Sequence, residues 1–291
     1  MSDPRDLRPN ASAPGITPPA AAGDHASAAA ARGHATPAPS PGHAPLVSVV
    51  MPARNAVRFI DQALQSLLDQ THTRWELVVV DDASSDGTAE RVNQAARADR
   101  RIRLIQLARR VGPGPARNVA LAEIRGDYIA FLDSDDIWLP GKLERQLRFM
   151  REHGAAFSIH GYRMIDEHGR ERGRPIAVPA RVDYQLLLRH TIIAPVTVLL
   201  DRERVGPLEM PDLPQHEDLV LWFRILKRGI VAHGMPEELA RYRIVKTSAS
   251  RDKLRSARRM WRVYRRIEGL SFSRAAWCYS HYAWNAWRKY R

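Results

Sequence analysis

LVSVVMPARN (46–55), LVVVDDASSDGT (77–88) and YIAFLDSDD (128–136) are the stretches that decide the fold of this 291-residue chain. Each opens with an apolar run of strand length: 46–51, 77–80 and 128–132. Such runs are apolar throughout when both faces of a parallel sheet are covered. Each then ends in a polar cluster: Pro52-Ala53-Arg54-Asn55, Asp81-Asp82 and Asp133-Ser134-Asp135-Asp136. Ligands of open α/β sheets bind outside the carboxyl ends of the strands, so three such clusters point to one site for a nucleotide and a metal.

Helical stretches alternate with these runs. Phe59, Ala63, Leu64, Leu67 and Leu68 keep a 3.6-residue period after the first. A second helix is expected near Gly87 with Ser85 or Asp86 as its N-cap, and further ones over 115–124 and 140–151. With a strand at 102–107, the order reads as βαβ units and a parallel sheet. Beyond residue 155 the rhythm changes. A hairpin is expected around the Asp166-Glu167-His168-Gly169 turn, a strand over Val196 to Leu200, and a helix from Asp218 to Lys227 stopped at Gly229.

Composition bounds the rest. With 44% hydrophobic residues the chain can bury a sizeable core. No run reaches the roughly 20 apolar residues of a spanning helix. No apolar segment follows Met1, and the single Cys278 excludes an internal disulfide framework; the expected compartment is the cytoplasm. Residues 1–44, rich in Ala, Pro, Gly and Ser, are expected to be disordered. Their His25, His34 and His43 read as compositional accident rather than a metal site. The net charge of +13 is concentrated: residues 251–291 carry +10, which leaves only +3 for 45–250. This basic extension is expected to be helical. Met260, Val263, Tyr264 and Ile267 share one face, Arg258, Arg259, Arg262, Arg265 and Arg266 another, and Trp277, Trp284 and Trp287 follow.

The carboxylates carry the chemistry. A pair such as Asp133 and Asp135 suits Mg²⁺ or Mn²⁺, hard cations that favour carboxylate and phosphate oxygens; the competing role is to cap the next turn. Asp81 and Asp82 can accept from a base N–H or from ribose hydroxyls, and one of them is open to forming an Asx-turn before Ser84 instead. Arg117, after the Gly112-Pro113-Gly114-Pro115 loop, is either a cation near phosphate or a surface arginine. His216-Glu217-Asp218, followed by Trp222 and Arg224, offers acids at a helix N-terminus. They act there either as dipole partners or as a general base for an acceptor hydroxyl. Glu217, Trp222 and Arg224 are candidate substrate-binding residues.

The segments SVVMPARNAVRFIDQALQSLLDQTHTRWELVVVDDASSDGT, ARNVALAEIRGDYIAFLDSDDIWLPGKLERQ and HEDLVLWFRILKRG resemble those of family 2 glycosyltransferases. The tail from Tyr242 onward resembles bacterial members that make teichuronic acid and other surface polysaccharides. The resemblance covers about residues 45–250. It implies the GT-A fold: a Rossmann-like, mostly parallel sheet flanked by helices, here with a disordered N-terminal tail and a helical basic C-terminal extension. It also implies an inverting, metal-dependent transfer from a nucleotide sugar, with UDP as the expected nucleotide, to a glycan or lipid-linked acceptor. Pro52, Arg54, Asp81 and Asp82 fall where the family contacts the nucleotide, Asp82 being the uracil partner. Asp135 falls on the main metal ligand, Asp133 is directed to ribose or metal, and Asp218 falls on the catalytic base. The pattern breaks at Tyr242-Arg243-Ile244-Val245-Lys246, where many members place a histidine. Arg243 or Lys246 is expected to face the diphosphate instead.

Two rivals are weaker. A sugar-1-phosphate nucleotidylyltransferase would carry a glycine-rich phosphate loop after the first strand, and Pro52-Ala53-Arg54-Asn55 is not one. A nucleic-acid-binding protein would spread its basicity over a domain, so no nucleic acid is expected. For residues 251–291 the expected partner is an anionic membrane surface on the cytoplasmic side, the alternative being that its tryptophans pack on the catalytic domain.

Overall fold

The computed structural model describes residues 44–245 and 253–289. The three histidines of the N-terminal tail and Lys246 lie outside them. In chain order the elements are β1 (Val47–Ala53), α1 (Ile60–Leu68), β2 (Trp75–Asp81), α2 (Thr88–Ala98), β3 (Ile102–Gln106), α3 (Pro113–Glu123), β4 (Tyr128–Phe131), β5 (Ile137–Trp138) and α4 (Lys142–Glu152). There follow β6 (Phe157–Ile165), β7 (Glu171–Ile176), β8 (Arg181–Val182), α5 (Tyr184–Arg189), β9 (Leu199–Asp201), α6 (Arg202–Val205), α7 (Glu217–Lys227), β10 (Ala232–Arg243), α8 (Lys253–Arg262) and α9 (Phe272–Lys289). A π-turn over Val263–Ile267 extends α8.

The sheet runs β3-β2-β1-β4-β9-β6-β10-β5, with β7 beside β6 and β8 beside β10. The first four strands are the parallel block that the βαβ rhythm predicts. Beyond them the sheet is mixed: β9 runs antiparallel to β4 and β6, and β10 parallel to β6. The apolar runs are covered on both faces, alternating as the two-residue strand period demands. Val47, Val49, Met51, Leu77 and Val79 pack toward the core that contains Ile60, Leu64, Leu67 and Leu147. Val50, Val78, Val80 and Phe131 pack toward the core shared by α3, α5 and α7. The strand expected over Val196 to Leu200 is shorter, because Pro195 opens a 3₁₀ turn through Thr197 and pairing starts at Leu199.

The topology explains why the polar clusters converge. β1 is central, with β2 and β4 parallel on either side, in register Ala53 to Asp81 and Val50 to Phe131. The chain after β1 turns to β2 and β3 on one side and returns to β4 on the other. This is the reversal of strand order at which α/β sheets open a crevice.

The C-terminal helices join the second core. Met260, Val263, Tyr264, Leu270, Ala275 and Cys278 are buried in it, and the Tyr264 hydroxyl donates to Leu188 O at 2.6 Å. Ile267 leaves the expected apolar face and is 36% exposed, because the π-turn rotates it out of the stripe. Trp277 and Trp284 are 52% and 58% exposed. Trp287's side chain lies outside what is described. No described helix is long and apolar enough to cross a membrane.

Candidate active site

A cleft of about 430 Å³ opens at the carboxyl ends of β1, β2 and β4. Pro52 and Arg54 line it from β1 and the loop that follows, Asp82 from the end of β2, Arg110, Pro113 and Arg117 from the α3 side, and Asp133, Ser134 and Asp135 from the loop after β4. The opposite wall is Pro214 to Asp218, with Tyr242 and Ser256.

The β2 loop is tied to two neighbours. Arg54 Nη1 donates to the carbonyls of Asp82 (2.5 Å) and Ala83 (3.0 Å). The Asp82 carboxylate accepts the backbone N–H groups of Val111 (2.6 Å) and Gly112 (3.0 Å). Gly112, at φ +95°, occupies the left-handed region that an L side chain resists. Of the two alternatives for the Asp81-Asp82 pair, Asp81 takes the Asx-turn: it is buried, it does not line the cleft, and its Oδ2 accepts from Ser84 N at 3.1 Å. It closes the turn, while Asp82 is the acid that faces the cavity.

The β4 loop is held from behind. Asp136 N donates to Asp133 O, and Asp136 Oδ1 accepts from Arg243 N at 2.8 Å. The Arg243 guanidinium donates from Nε to Asp135 O (2.7 Å), from Nη1 to Asp166 O (3.1 Å) and from Nη2 to Gln62 Oε1 (2.6 Å), and it stacks 4.8 Å from the Phe59 ring centroid. It is 3% exposed and absent from the cleft lining. The expectation that Arg243 faces a diphosphate is therefore corrected: its donors are spent fixing the loop that presents Asp133 and Asp135.

α7 supplies the facing acids. His216 precedes it at φ +66°, a strained value for a non-glycine residue. That bend puts Glu217 and Asp218 in the first turn, where the helix dipole favours negative charge. The non-glycine residues in this conformation, Asn55, Ala83 and His216, each adjoin a cleft-lining residue, as stored strain at a functional site would. Gly114 lets α3 reach α7: a Cβ there would meet Pro211 O at 3.0 Å and Glu217 Cγ at 3.1 Å.

Arg117 joins the two walls. Its Nη2 donates to Asp133 Oδ1 at 2.5 Å and its Nη1 to Glu217 Oε1 at 2.9 Å. It is 4% exposed, so it is not a surface arginine. Burial works against its charge, but Asp133, Glu217 and Asp218 more than offset this and keep it protonated. Burial pushes the Asp218 carboxyl above its ordinary range, and Arg117 pulls it back. Glu217 is raised by burial and by Asp218. Burial, then Asp133, pushes Asp135 up to about 6.

Trp222 and Arg224 are corrected as substrate contacts. Trp222 is fully buried, with the rings of Phe131 and Phe157 each 5.5 Å away by centroid; one turn along α7 from Asp218, it lies in the core and not in the cleft. Arg224 turns away from the cleft and donates to Glu209 O at 2.9 Å. Sequence reasoning passed over Ser134, Tyr242 and Ser256 on the walls, and it read the Gly112–Pro115 stretch only as a loop.

Among the described residues no three His, Cys, Asp or Glu are placed to hold a metal ion by themselves. The protein alone offers a carboxylate pair, Asp133 and Asp135. Asp135 is buried beside Asp133, and both effects disfavour its negative charge; two such carboxylate oxygens suit a hard divalent cation, which would relieve that cost.

The family model for Glycosyl transferase family 2 matches residues 48–202. TuaG of Bacillus subtilis (strain 168), a glycosyltransferase assigned to teichuronic acid biosynthesis, is 44% identical over 84% of this chain and 97% of its own length. The Escherichia coli enzyme WfgD, a UDP-Glc:α-D-GlcNAc-diphosphoundecaprenol β-1,3-glucosyltransferase, is 38% identical over 75% of this chain and 85% of its own. Among solved structures, residues 1–349 of Staphylococcus aureus TarS in complex with UDP-GlcNAc superpose with a TM-score of 0.63 at 21% identity. That alignment covers 81% of this chain and 71% of TarS 1–349, and it shows the shared GT-A architecture. With the family model spanning Asp82, Asp133 and Asp135 and relatives aligned along most of their length, this chain belongs to glycosyl transferase family 2.

Proposed function

We propose that the cleft takes a UDP-sugar and transfers its sugar, with inversion, to a hydroxyl of a surface-polysaccharide precursor carried on a lipid diphosphate. The observation that carries this reading is the pairing of Asp133 and Asp135 on one wall with Asp218 on the other, inside one cleft. The named substrates of WfgD, a glucose nucleotide and a lipid-linked acceptor, support the choice of donor and acceptor.

In this reading Pro52, Arg54 and Asp82 border the nucleotide. Asp133 and Asp135 would hold Mg²⁺ or Mn²⁺, which supplies charge neutralisation to the departing diphosphate. Asp218 accepts the proton of the acceptor hydroxyl as its oxygen bonds to the anomeric carbon. The bond from that carbon to the diphosphate breaks on the opposite face, so an α-linked donor gives a β-linked product. Arg117 opposes the effect of burial on Asp218 and favours its ionised form, as a base must be unprotonated when the hydroxyl arrives.

The test is a screen of UDP- and GDP-sugars for metal-dependent binding by calorimetry, followed by transfer assays with two variants. Asp218→Asn is expected to abolish transfer and leave donor binding near wild type; Asp135→Ala is expected to lose metal-dependent binding. Full activity in the first or unchanged affinity in the second would remove that residue from the mechanism.

A further inference from the structure

The two C-terminal helices present an outer surface whose composition is inverted relative to a helix facing water. On α9 the small or modest side chains Ala275 and Cys278 are buried. The large aromatics Phe272, Trp277 and Trp284 are 68%, 52% and 58% exposed. Trp277 and Trp284 are seven residues apart and therefore lie on one face. An amphipathic helix docked on a water-soluble domain puts its aromatics inward. Two large aromatics exposed on one helix face mark an interaction surface.

The neighbouring charge is of one sign. Arg258, Arg262 and Arg265 form an exposed i, i+4, i+7 stripe on α8 and its π-turn, with Arg266 beside it. Glu268, the sole acid in 253–289, is turned inward: its side chain is 1% exposed and paired with Lys227 Nζ at 2.6 Å. It also accepts from the Tyr184 hydroxyl. The fold thus spends the segment's acid internally and leaves its bases outside. Arg189 reaches over the Trp277 ring, 5.3 Å from its centroid, which adds a cation beside the aromatic anchor. The surface is held rigidly on the body, as Arg274 Nη2 donates to Gln185 Oε1 (2.7 Å) and Asn285 Nδ2 to Arg189 O (3.1 Å).

We propose that α8 and α9 dock the enzyme on an anionic lipid bilayer, with Trp277 and Trp284 in the headgroup interface and the arginine stripe on the lipid phosphates. Tryptophan favours that interface, and basic side chains close to it draw anionic headgroups. The same helices touch the active site, because Ser256, near the start of α8, lines the cleft. Docking through them brings the cleft mouth to the plane in which a lipid-carried acceptor resides.

The test uses the full chain and vesicles of phosphatidylcholine alone or with one-quarter phosphatidylglycerol. Sedimentation is expected with the anionic vesicles at low salt and to be lost at high salt or on phosphatidylcholine alone. Replacing Arg258 or Arg262 by Ser should weaken binding about fivefold each. The double change Trp277→Ser, Trp284→Ser should remove the blue shift of tryptophan emission on vesicle addition. Both positions are exposed, so melting temperature and donor binding should stay as in wild type. Wild-type sedimentation in either set of variants would overturn the proposal. So would a stronger salt-sensitive affinity for single-stranded RNA than for vesicles, or a dimer in solution that the tryptophan variants dissociate. Vesicle binding requires neither donor nor acceptor, so its failure is distinct from failure of the sugar-transfer reading.

Discussion

Asp133 and Glu217 share one buried guanidinium, that of Arg117, with contacts of 2.5 and 2.9 Å. The loop after β4 and the first turn of α7 are thereby linked by a single side chain from α3. The link is also electrostatic, because Arg117 is the main influence drawing Asp218 back toward ionisation.

Arg117→Met is expected to move the acid limb of the kcat/KM profile to higher pH. The base works only when ionised, its carboxyl is already raised by burial, and loss of the guanidinium raises it further. The variant also leaves buried acids uncompensated, at a cost of about 3–5 kcal/mol in stability. A pH–rate profile beside a thermal melt checks both; an unmoved acid limb would separate Arg117 from the base.

Gly114→Ala is expected to lower kcat by roughly tenfold or more with little change in donor affinity. The added methyl meets Glu217 Cβ at 3.2 Å and Pro211 O at 3.0 Å, so α7's first turn must shift while the β4 loop stays. Overpacking of this kind costs about 1–3 kcal/mol. Steady-state kinetics with calorimetric donor titration would tell; a loss of donor affinity at constant kcat would contradict the assignment.

Arg243→Lys is expected to destabilise the fold by about 2–4 kcal/mol and to weaken metal-dependent nucleotide binding. A single ammonium cannot reach Asp135 O, Asp166 O and Gln62 Oε1 as the planar fork does. Chemical denaturation and calorimetry are the measurements, and wild-type metal affinity in a folded variant would count against the clamp.

Lys142→Met is expected to stabilise the protein by about 1–2 kcal/mol at neutral pH. Lys142 is fully buried, with its Nζ 3.9 Å from the Trp138 ring centroid and 3.5 Å from Val198 O. Burial holds its amine well below the ordinary value of 10.5. The unfolded chain therefore binds the extra proton, and wild-type stability should rise with pH toward 10.5. In the Met variant that part of the slope should vanish. Melting temperatures across this window decide it.

The donor wall was legible in the sequence because its chemistry is contiguous. Strand and acid follow one another in LVVVDD and YIAFLDSD, and the parallel order of β2, β1 and β4 then brings the clusters together. Asp218 was legible only through family resemblance, since an acid in a first helical turn has two roles. Trp222 and Arg224 were misplaced because proximity in sequence to Asp218 does not keep a side chain in the cleft: Trp222, one turn along on the same side of α7, sits against Phe131 and Phe157 in the core, and Arg224 is carried round to another face. Arg243 was misread for a different reason. A cation near two acids suggests a ligand for phosphate, and only the fold shows that its partners include Gln62 and Asp166, which no local pattern connects to it. The basic extension was visible as charge, but the inward turn of Glu268 was not.

The Arg243 clamp also sets an order in time. A chain emerging from the ribosome presents β1 to β4 early, whereas Arg243 closes β10, the last strand of the sheet. Until that strand arrives, the carbonyl of Asp135 and the carboxylate of Asp136 lack the partners that hold their loop. The nascent sheet thus takes shape before its acidic loop is locked. A chain that stops short of β10 has the walls of the cleft without the clamp that fixes Asp135 and Asp136 between them.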